Sequence, residues 1–487
     1  MFLSLYLIFT AIFLLYKYLK SPYETWKNRG IVSPSPKFLQ GNFKSIFGRK
    51  YNVMEDLKAI YDKYRGKEPI VGIYLLRHPQ LMVLEPEIVK DILVKHQRKF
   101  GENFFANLMS HHDKIFSPNL FFMHSKEWKE KRQELSPGFG VNKIKPQFNN
   151  LLKIGDSFCD YIKKSSSKSI SFDVKSLAIR YTAEISSSIV FGIKANSFEE
   201  TDPPIMVVST DLIPFADKIL RYFQLIYSFP VLLRFWKFRL SGMTVQNFFE
   251  NLTVDVLKMR ANAEPRNDYV DHVMQLMRKK GLSEKDMAGD FINQFLDAFE
   301  TTSVFLTYVL YEIARNKEVQ DRLRAEVSEA ELDIDSIESL QYLDQVVFES
   351  LRLHPVLVNL VKVCTETYVS ESHSVKILPG DVVNIPIHCL QRDPLTYEEP
   401  EKFNPDRFDG GGVKKYRQMC ALLPFGEGPR QCLGMRYSLI EVKIAVIAIL
   451  KNFEMSLTKP DTKMELIPDC LMYLSMPCPF SIDFRPF

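Results

Sequence analysis

One cysteine of this sequence stands out because of its surroundings. Cys432 lies in the glycine-rich stretch PFGEGPRQCLGMR, directly before an apolar run without proline. This pattern predicts a turn that leads into a helix, where the helix dipole and the backbone N–H groups would stabilise a thiolate. A thiolate acts either as a nucleophile or as a metal ligand. Because the stretch contains no histidine that could serve as a base, metal ligation is favoured.

Two other interpretations of the stretch were weighed. The glycines Gly426, Gly428 and Gly434 could cradle a phosphate, but they do not follow the GxGxxG spacing and no GK[ST] motif is present. Alternatively, Cys432 could be a buried free thiol in a tight turn, which is the ordinary role of an isolated cysteine. The other motifs of the sequence decide between these interpretations.

The spacing FxxGxRxCxG is formed by Phe425, Gly428, Arg430, Cys432 and Gly434. It resembles the haem-binding signature of the cytochrome P-450 superfamily, and the overall pattern is similar to microsomal members of the insect detoxification and vertebrate drug-metabolising kinds. The resemblance covers nearly the whole chain. It implies haem b (iron protoporphyrin IX) as the cofactor, with Cys432 as the axial ligand of the iron and with Phe425 and Arg430 beside the cofactor.

A second motif of that family lies in FESLRLHP. Glu349 and Arg352 are three residues apart and therefore share one helix face. Such a pair is usually an exposed surface bridge of little energetic value. The resemblance instead implies a buried structural network with Arg407 of NPDRF, because a charge can be buried only together with its partners.

A third motif, WxxxR, is formed by Trp128 and Arg132. The resemblance assigns both residues to the haem propionates, and a guanidinium and an indole N–H are suitable donors to a carboxylate. Related members often have an arginine for the other propionate where this chain has Lys362. Lysine keeps the charge but loses the bidentate fork.

The stretch DAFETT departs in part from the family pattern [AG]Gx[DE]T. Glu300 and Thr301 match it, and the resemblance implies that they are catalytic: Glu300 would feed protons, and Thr301 would bond a carbonyl one turn back and bend the helix. Asp297 replaces a small residue and Ala298 replaces the glycine. Positions 297 and 301 share a helix face, so we expect Asp297 to face the pocket and to select a basic or hydroxylated substrate or to bond a water. Rotated away, it would be a surface or paired charge.

The resemblance also indicates where the substrate pocket lies. Its apolar bias predicts a lipophilic small molecule, either a xenobiotic or an endogenous compound such as a steroid or fatty acid. The aromatic stretch 220–238 is either a segment at the bilayer interface or an ordinary core helix. The residues assigned to the pocket are Phe104, Phe105, Phe295, Asp297, Ala298, Val358, Asn359 and Leu360.

The resemblance implies a monooxygenase that inserts one oxygen atom of O2 into its substrate. The sequence contains no flavin or nicotinamide motif, so the electrons of NADPH would arrive through NADPH-cytochrome P-450 reductase, with cytochrome b5 as a further partner. The acidic surface of the reductase would meet lysines such as Lys126, Lys129 and Lys131. The alternatives are an isomerase or dehydratase on the same haem scaffold, which needs no reductase, and a non-enzymatic haem sensor.

The N-terminal run MFLSLYLIFTAIFLLYKYL predicts a membrane anchor over residues 1–20. It carries no charge from Phe2 to Tyr16, and about 18 helical residues would span ~27 Å, which matches the bilayer of the endoplasmic reticulum. Positive charges such as Lys17 and Lys20 follow the run, whereas a cleaved signal peptide has them in front. We therefore expect an uncleaved anchor with the catalytic domain in the cytosol.

Composition excludes several classes of protein. The 63 Lys and Arg residues nearly balance the 59 Asp and Glu residues, so the net charge of +4 does not indicate a nucleic-acid partner. The seven cysteines are scattered without CxxC spacing, which argues against a disulfide framework or a zinc site. We expect a proline-containing linker over residues 21–50 and a single catalytic domain over residues 51–487.

The remaining pattern predicts the elements that position these residues. Ser283 and Asp286 form a capping box that starts a helix running to about Asn316, roughly 33 residues or ~50 Å. A second apolar helix follows Cys432, and β-branched runs predict small sheets. The expected class is mainly α with a minor β portion, a cytochrome P-450 fold whose long central helix crosses over the haem.

Overall fold

The structure is a computed structural model, and it describes residues 2–46, 52–104, 106, 118–166, 171–210, 229, 242–467 and 475–487. Helices dominate these parts of the chain, as the sequence predicts. The α-helices are α1 (Phe2–Lys20), α2 (Thr25–Asn28), α3 (Val53–Tyr64), α4 (Pro86–Lys90), α5 (Ser125–Leu135), α6 (Val141–Ile144), α7 (Phe148–Ser166), α8 (Val174–Val190), α9 (Pro204–Thr210), α10 (Met243–Ala261), α11 (Tyr269–Lys280), α12 (Glu284–Arg315), α13 (Lys317–Ser328), α14 (Ile334–Ser339), α15 (Gln341–Leu353), α16 (Ile387–Leu390), α17 (Gly412–Gln418) and α18 (Met435–Asn452).

The strands form three small sheets in the described residues. One sheet has the order β1-β2-β8-β5-β3, another β4-β10-β9, and β6 pairs with β7. Antiparallel pairing predominates, and only β2 and β8 run parallel. The strands are β1 (Ile70–Leu75), β2 (His78–Val83), β3 (Glu102–Asn103), β4 (Ser171–Asp173), β5 (Leu360–Val363), β6 (Tyr368–Val369), β7 (Lys376–Ile377), β8 (Val382–Ile385), β9 (Phe453–Leu457) and β10 (Ser481–Pro486).

The long helix α12 passes through the core. Its first turn is closed by the predicted capping box, in which the side chain of Ser283 accepts from the N–H of Asp286 and the carboxylate of Asp286 accepts from the N–H of Ser283. Residues 303–311 are at most 2% exposed, and the helix packs along α8 and α10. The predictions of this helix and of α18 are confirmed, because both are continuous apolar runs without proline.

Residues 21–46, which belong to the predicted proline-containing linker over residues 21–50, pack against the larger sheet. Trp26 is buried, and its indole N–H donates to the carbonyl of Ile73 at 3.1 Å. A Cβ at Gly72 would lie 2.3 Å from the Trp26 ring, so the strand accepts this ring only because glycine stands there. Arg29 forms an ion pair with Asp381 at 2.6 Å. Buried apolar surface thus joins this segment to the folded unit.

The N-terminal helix α1 stands apart from the core with its apolar side chains exposed. The helical stretch Phe2–Asn28 is long and apolar enough to cross a membrane. The turn between β1 and β2 contacts its C-terminal end: the guanidinium of Arg77 lies 4.0 Å from the centre of the Tyr18 ring and donates to the carbonyl of Tyr18. These contacts fix the end of α1 to the sheet.

Candidate cofactor site

The cysteine loop, residues 424–434, is shaped by its own backbone. The N–H of Cys432 donates to the carbonyl of Phe425 at 2.9 Å, and the N–H of Gln431 donates to the carbonyl of Gly428 at 3.0 Å. Gly428 has a φ of +74°, and a Cβ there would lie 2.0 Å from the carbonyl oxygen of Leu93. This close approach allows only glycine at this position.

The sulfur of Cys432 lies at the N-terminus of α18, where the N–H groups of Gly434 and Met435 act to lower the pKa of the thiol. Its side chain is exposed, yet burial raises the pKa of the thiol to about 11, against the opposing effect of these donors. The Cys432 thiol has accessible surface but is shielded from bulk water, so this surface faces a space inside the protein. A bound metal ion would deprotonate the thiol, since coordination requires the thiolate.

Helix α12 reaches the same internal space. The negative charge of Asp297 contributes to the raised pKa of Cys432, and the side chain of Asp297 is exposed although burial raises its pKa to about 6. Ala298 and Thr301 are half-buried beside it. The hydroxyl of Thr301 donates to the carbonyl of Asp297, so the predicted bond one turn back is confirmed. From the accessibility of both side chains and their electrostatic coupling we infer that Cys432 and this face of α12 line a common cavity.

The three cations near this cavity are Arg132, Lys362 and Arg430. None of them forms an ion pair within the described part of the chain. The Arg430 guanidinium lies 4.3 Å from the centre of the Trp128 ring and donates to the carbonyl of Met123 at 3.3 Å, but its Nε lacks a partner among these residues. Burial lowers the pKa of Arg430 to about 10 and that of Lys362 to about 7, and it also lowers the pKa of Arg132.

These features fit haem. Among the described residues none of the three cations has an ion-pair partner to compensate for its burial, and the two propionates of a haem would supply negative charge there. The sulfur of Cys432 is the donor that its iron would need. The orphaned Nε of Arg430 is consistent with a missing acceptor beside Trp128. The residues that the sequence assigns to the cofactor are therefore suited to hold it.

The network of Glu349, Arg352 and Arg407 is confirmed as part of the core. Glu349 and Arg352 are 0% exposed and form two hydrogen bonds of 2.7 and 2.8 Å, and the Nε of Arg407 donates to Glu349 at 2.9 Å. Arg352 also donates to the carbonyls of Gln391 and Pro400. Each charged group of the network thus has hydrogen-bond partners, as burial requires.

A link between this network and the cysteine loop was missed at the level of sequence. The side chain of Gln391 accepts from the N–H of Leu423 at 2.7 Å and donates to the carbonyls of Leu351 and Arg352. It therefore joins the end of α15 to the residue before the loop. No motif contains Gln391, so the sequence offers no signal for it.

Glu300 is half-buried on α12 and pairs with a lysine of α8. The ammonium of Lys175, at the start of α8, contacts the carboxylate of Glu300 at 2.9 Å and also donates to the hydroxyl of Ser303. Burial lowers the pKa of Lys175. The other carboxylate oxygen of Glu300 is buried without a hydrogen-bond partner in the described residues. Sequence reasoning missed Lys175, because it lies 125 positions away.

Several residues assigned to the pocket are buried. Phe295 is fully buried, and its ring contacts those of Phe191 and Phe299. Val358 packs in the core of the larger sheet, and the amide of Asn359 donates to Asn384 at 3.2 Å. All three side chains are thus in contact with neighbouring residues of the protein.

The remaining pocket residues differ in their surroundings. Phe104 is buried against the ring of His78, and Leu360 is half-buried on β5. Phe105 lies outside the described residues, as does the stretch 220–238 apart from Phe229. Of the assigned set, Asp297, Ala298 and Leu360 are the described residues with accessible side chains.

The lysines assigned to the reductase are not equivalent. Lys126 and Lys129 are exposed on α5. Lys131 forms an ion pair with Asp290, which is 3% exposed. Lys131 is therefore engaged within the protein.

Comparison with known proteins identifies the family. The family model described as Cytochrome P450 matches residues 33–484. The chain is 34% identical over 477 residues to "Probable cytochrome P450 28d1" of Drosophila melanogaster, covering 96% of this chain and 95% of that protein. It is 32% identical over 465 residues to "Probable cytochrome P450 6a13" of the same species, covering 93% of this chain and 92% of that protein. With its cysteine loop, buried Glu349 network and long central helix, this chain belongs to the cytochrome P450 family of haem-dependent monooxygenases.

Proposed function

We propose that Cys432 is the thiolate ligand of the haem iron and that the chain oxidises a lipophilic small molecule with electrons that NADPH supplies through a reductase. One observation carries the proposal: the Cys432 thiol is accessible inside the protein, at a helix N-terminus. Arg132, Lys362 and Arg430 support it, because they lack ion-pair partners among the described residues. Thiolate-ligated haem, when bound, supplies the cleavage of the O–O bond and the transfer of oxygen.

Helix α12 would manage protons in this reaction. The Thr301 hydroxyl donates to the carbonyl of Asp297, so its oxygen can accept a hydrogen bond from the cavity side and hold a proton there. Glu300, the residue before Thr301, forms a half-buried ion pair with Lys175. This pair would return protons to the region of Thr301, because a carboxylate can pass a proton that an ammonium has donated to it.

The membrane and the partners follow from the exposed surfaces. The exposed apolar helix α1 supports a single anchor in the endoplasmic reticulum membrane, with the catalytic domain on the cytosolic side. NADPH-cytochrome P-450 reductase would dock through its acidic surface on lysines such as Lys126 and Lys129, which are exposed. Cytochrome b5 would be a second electron donor on the same membrane face.

The decisive experiment is a reduced-CO difference spectrum of the haem-loaded protein. Wild type should show a Soret band near ~450 nm, and Cys432→Ser should lose it, because the thiolate sets the electronic structure of the iron. Cys478→Ser is the matched control and should keep the band, since Cys478 is a half-buried thiol near β10. A band retained in Cys432→Ser would contradict the proposal. Turnover without NADPH would favour an isomerase or dehydratase.

A further inference from the structure

The carboxylate of Asp297 has one hydrogen-bonding partner among the described residues. The side-chain N–H2 of Asn119 lies 3.1 and 3.2 Å from its two oxygens. Asn119 is 2% exposed, and its orientation is set by the N–H of Phe121, which donates to its carbonyl oxygen at 2.7 Å. The same amide nitrogen lies 3.1 Å from the side-chain oxygen of Asn293.

This arrangement leaves the carboxylate short of donors. An amide nitrogen has two hydrogens, and if one serves Asn293, both oxygens of Asp297 share the other. A carboxylate offers about four lone-pair positions, and no cation of the described residues forms an ion pair with Asp297. Because its side chain is exposed to the cavity, the unused positions point to where a ligand would lie.

The negative charge of Asp297 is therefore not balanced by a cation of the described residues. Burial disfavours an isolated carboxylate and raises the pKa of Asp297 to about 6. That value still leaves the group mainly ionised at neutral pH. The neighbouring carboxylate Glu300 has its counter-ion in Lys175, whereas no described residue serves as a counter-ion of Asp297.

We propose that Asp297, held in place by Asn119, is a recognition site for a cationic substrate: a lipophilic molecule with a protonated amine that pairs with the carboxylate. This inference rests on the proposed function and specifies its substrate class. A hydroxyl group could donate one hydrogen bond, but only a cation supplies both the donors and the missing charge. The ion pair would fix the position of the amine and thereby select which carbon lies nearest the iron.

The test compares three ligands of nearly equal shape on the haem-loaded protein. One is a lipophilic tertiary amine with bulky substituents that keep its nitrogen from binding iron. The second has carbon in place of that nitrogen, and the third is the matched alcohol, which carries a hydroxyl group at that carbon. Equilibrium dialysis at neutral pH should show that wild type binds the amine on the order of tenfold more tightly. Asp297→Asn should abolish this preference while leaving the affinity for the neutral compound unchanged. Asp297→Glu, which retains the charge, should restore much of the preference.

Several outcomes would overturn the inference. Wild type could show no preference, Asp297→Asn could keep it, or the matched alcohol could bind as tightly as the amine, which would assign the site to neutral donors. The CO difference spectrum of the same samples separates the two proposals. A band near ~450 nm without a preference for the amine would contradict only the proposed substrate class. The absence of that band in the wild-type protein would contradict the proposed function itself.

Discussion

Two regions of the molecule differ in how their buried charges are compensated. In the network behind the cysteine loop, Glu349 accepts from both Arg352 and Arg407, and each arginine also meets backbone carbonyls. On the cavity side of α12, the carboxylate of Asp297 has one shared donor, Asn119, among the described residues. The first region is complete within the protein, whereas the second contains a carboxylate that no described cation balances.

The two regions also differ in how closely they follow the family spacing. Glu349 and Arg352 match the motif without change, while Asp297 and Ala298 stand where small residues are usual. A network in which every member compensates another tolerates no single change. A cavity wall has no such constraint, because its partner is a separate molecule.

The largest effect is expected from breaking the complete network. Glu349→Ala would leave Arg352 and Arg407 as buried charges without their carboxylate, which should lower the free energy of unfolding by about 3–5 kcal/mol and reduce haem retention. Urea denaturation followed by circular dichroism measures the change. Asp62→Ala is the control: it removes an exposed i,i+4 pair with Lys58 and should cost less than about 1 kcal/mol. Similar losses of unfolding free energy in both variants would contradict the assignment of Glu349 to a buried network.

An intermediate effect is expected on the cavity side of α12. Thr301→Val keeps the shape of the side chain but removes the hydroxyl, so the ratio of product formed to NADPH consumed should fall on the order of tenfold. Any lipophilic compound that wild type turns over can serve in the assay.

Thr307→Val is the matched control for this change. The Thr307 hydroxyl makes the same type of bond, to the carbonyl of Ser303 at 2.7 Å, but it is buried away from the cavity. Its loss should leave the ratio unchanged. If both variants reduced the ratio equally, the effect would come from helix geometry and would not involve a proton at Thr301.

The smallest effect is expected at the surface of α5. Lys129→Ala should weaken the binding of the reductase two- to threefold at low salt, roughly 0.5 kcal/mol, without changing stability. Lys131→Ala should instead lower the melting temperature, because Asp290 would lose the cation that compensates its buried charge. Reductase titrations and thermal melts of both variants measure the two effects. The reverse pattern would assign the docking role to Lys131.

Residues within the motifs were predictable from the sequence, and their partners were not. The spacing around Cys432, the Glu349 network and the capping box of α12 are local patterns, and the described structure contains the corresponding loop, network and helix. Lys175 and Asn119 belong to no motif, yet they contact Glu300 and Asp297. The assignment of Phe295 to the pocket rested on its segment, whereas the neighbouring rings decided its orientation.

By itself, the sequence determined the class of fold, the cofactor chemistry that Cys432 indicates, and the apolar N-terminal helix, because periodicity and spacing express constraints between near neighbours. Only the tertiary structure decided that residues 21–46 join the sheet, that Glu300 is paired with Lys175, and that Asn119 contacts Asp297. Each of these depends on contacts between segments far apart in the chain. The charge balance of a buried group is a sum over all its neighbours in space, and that sum cannot be read from positions in sequence.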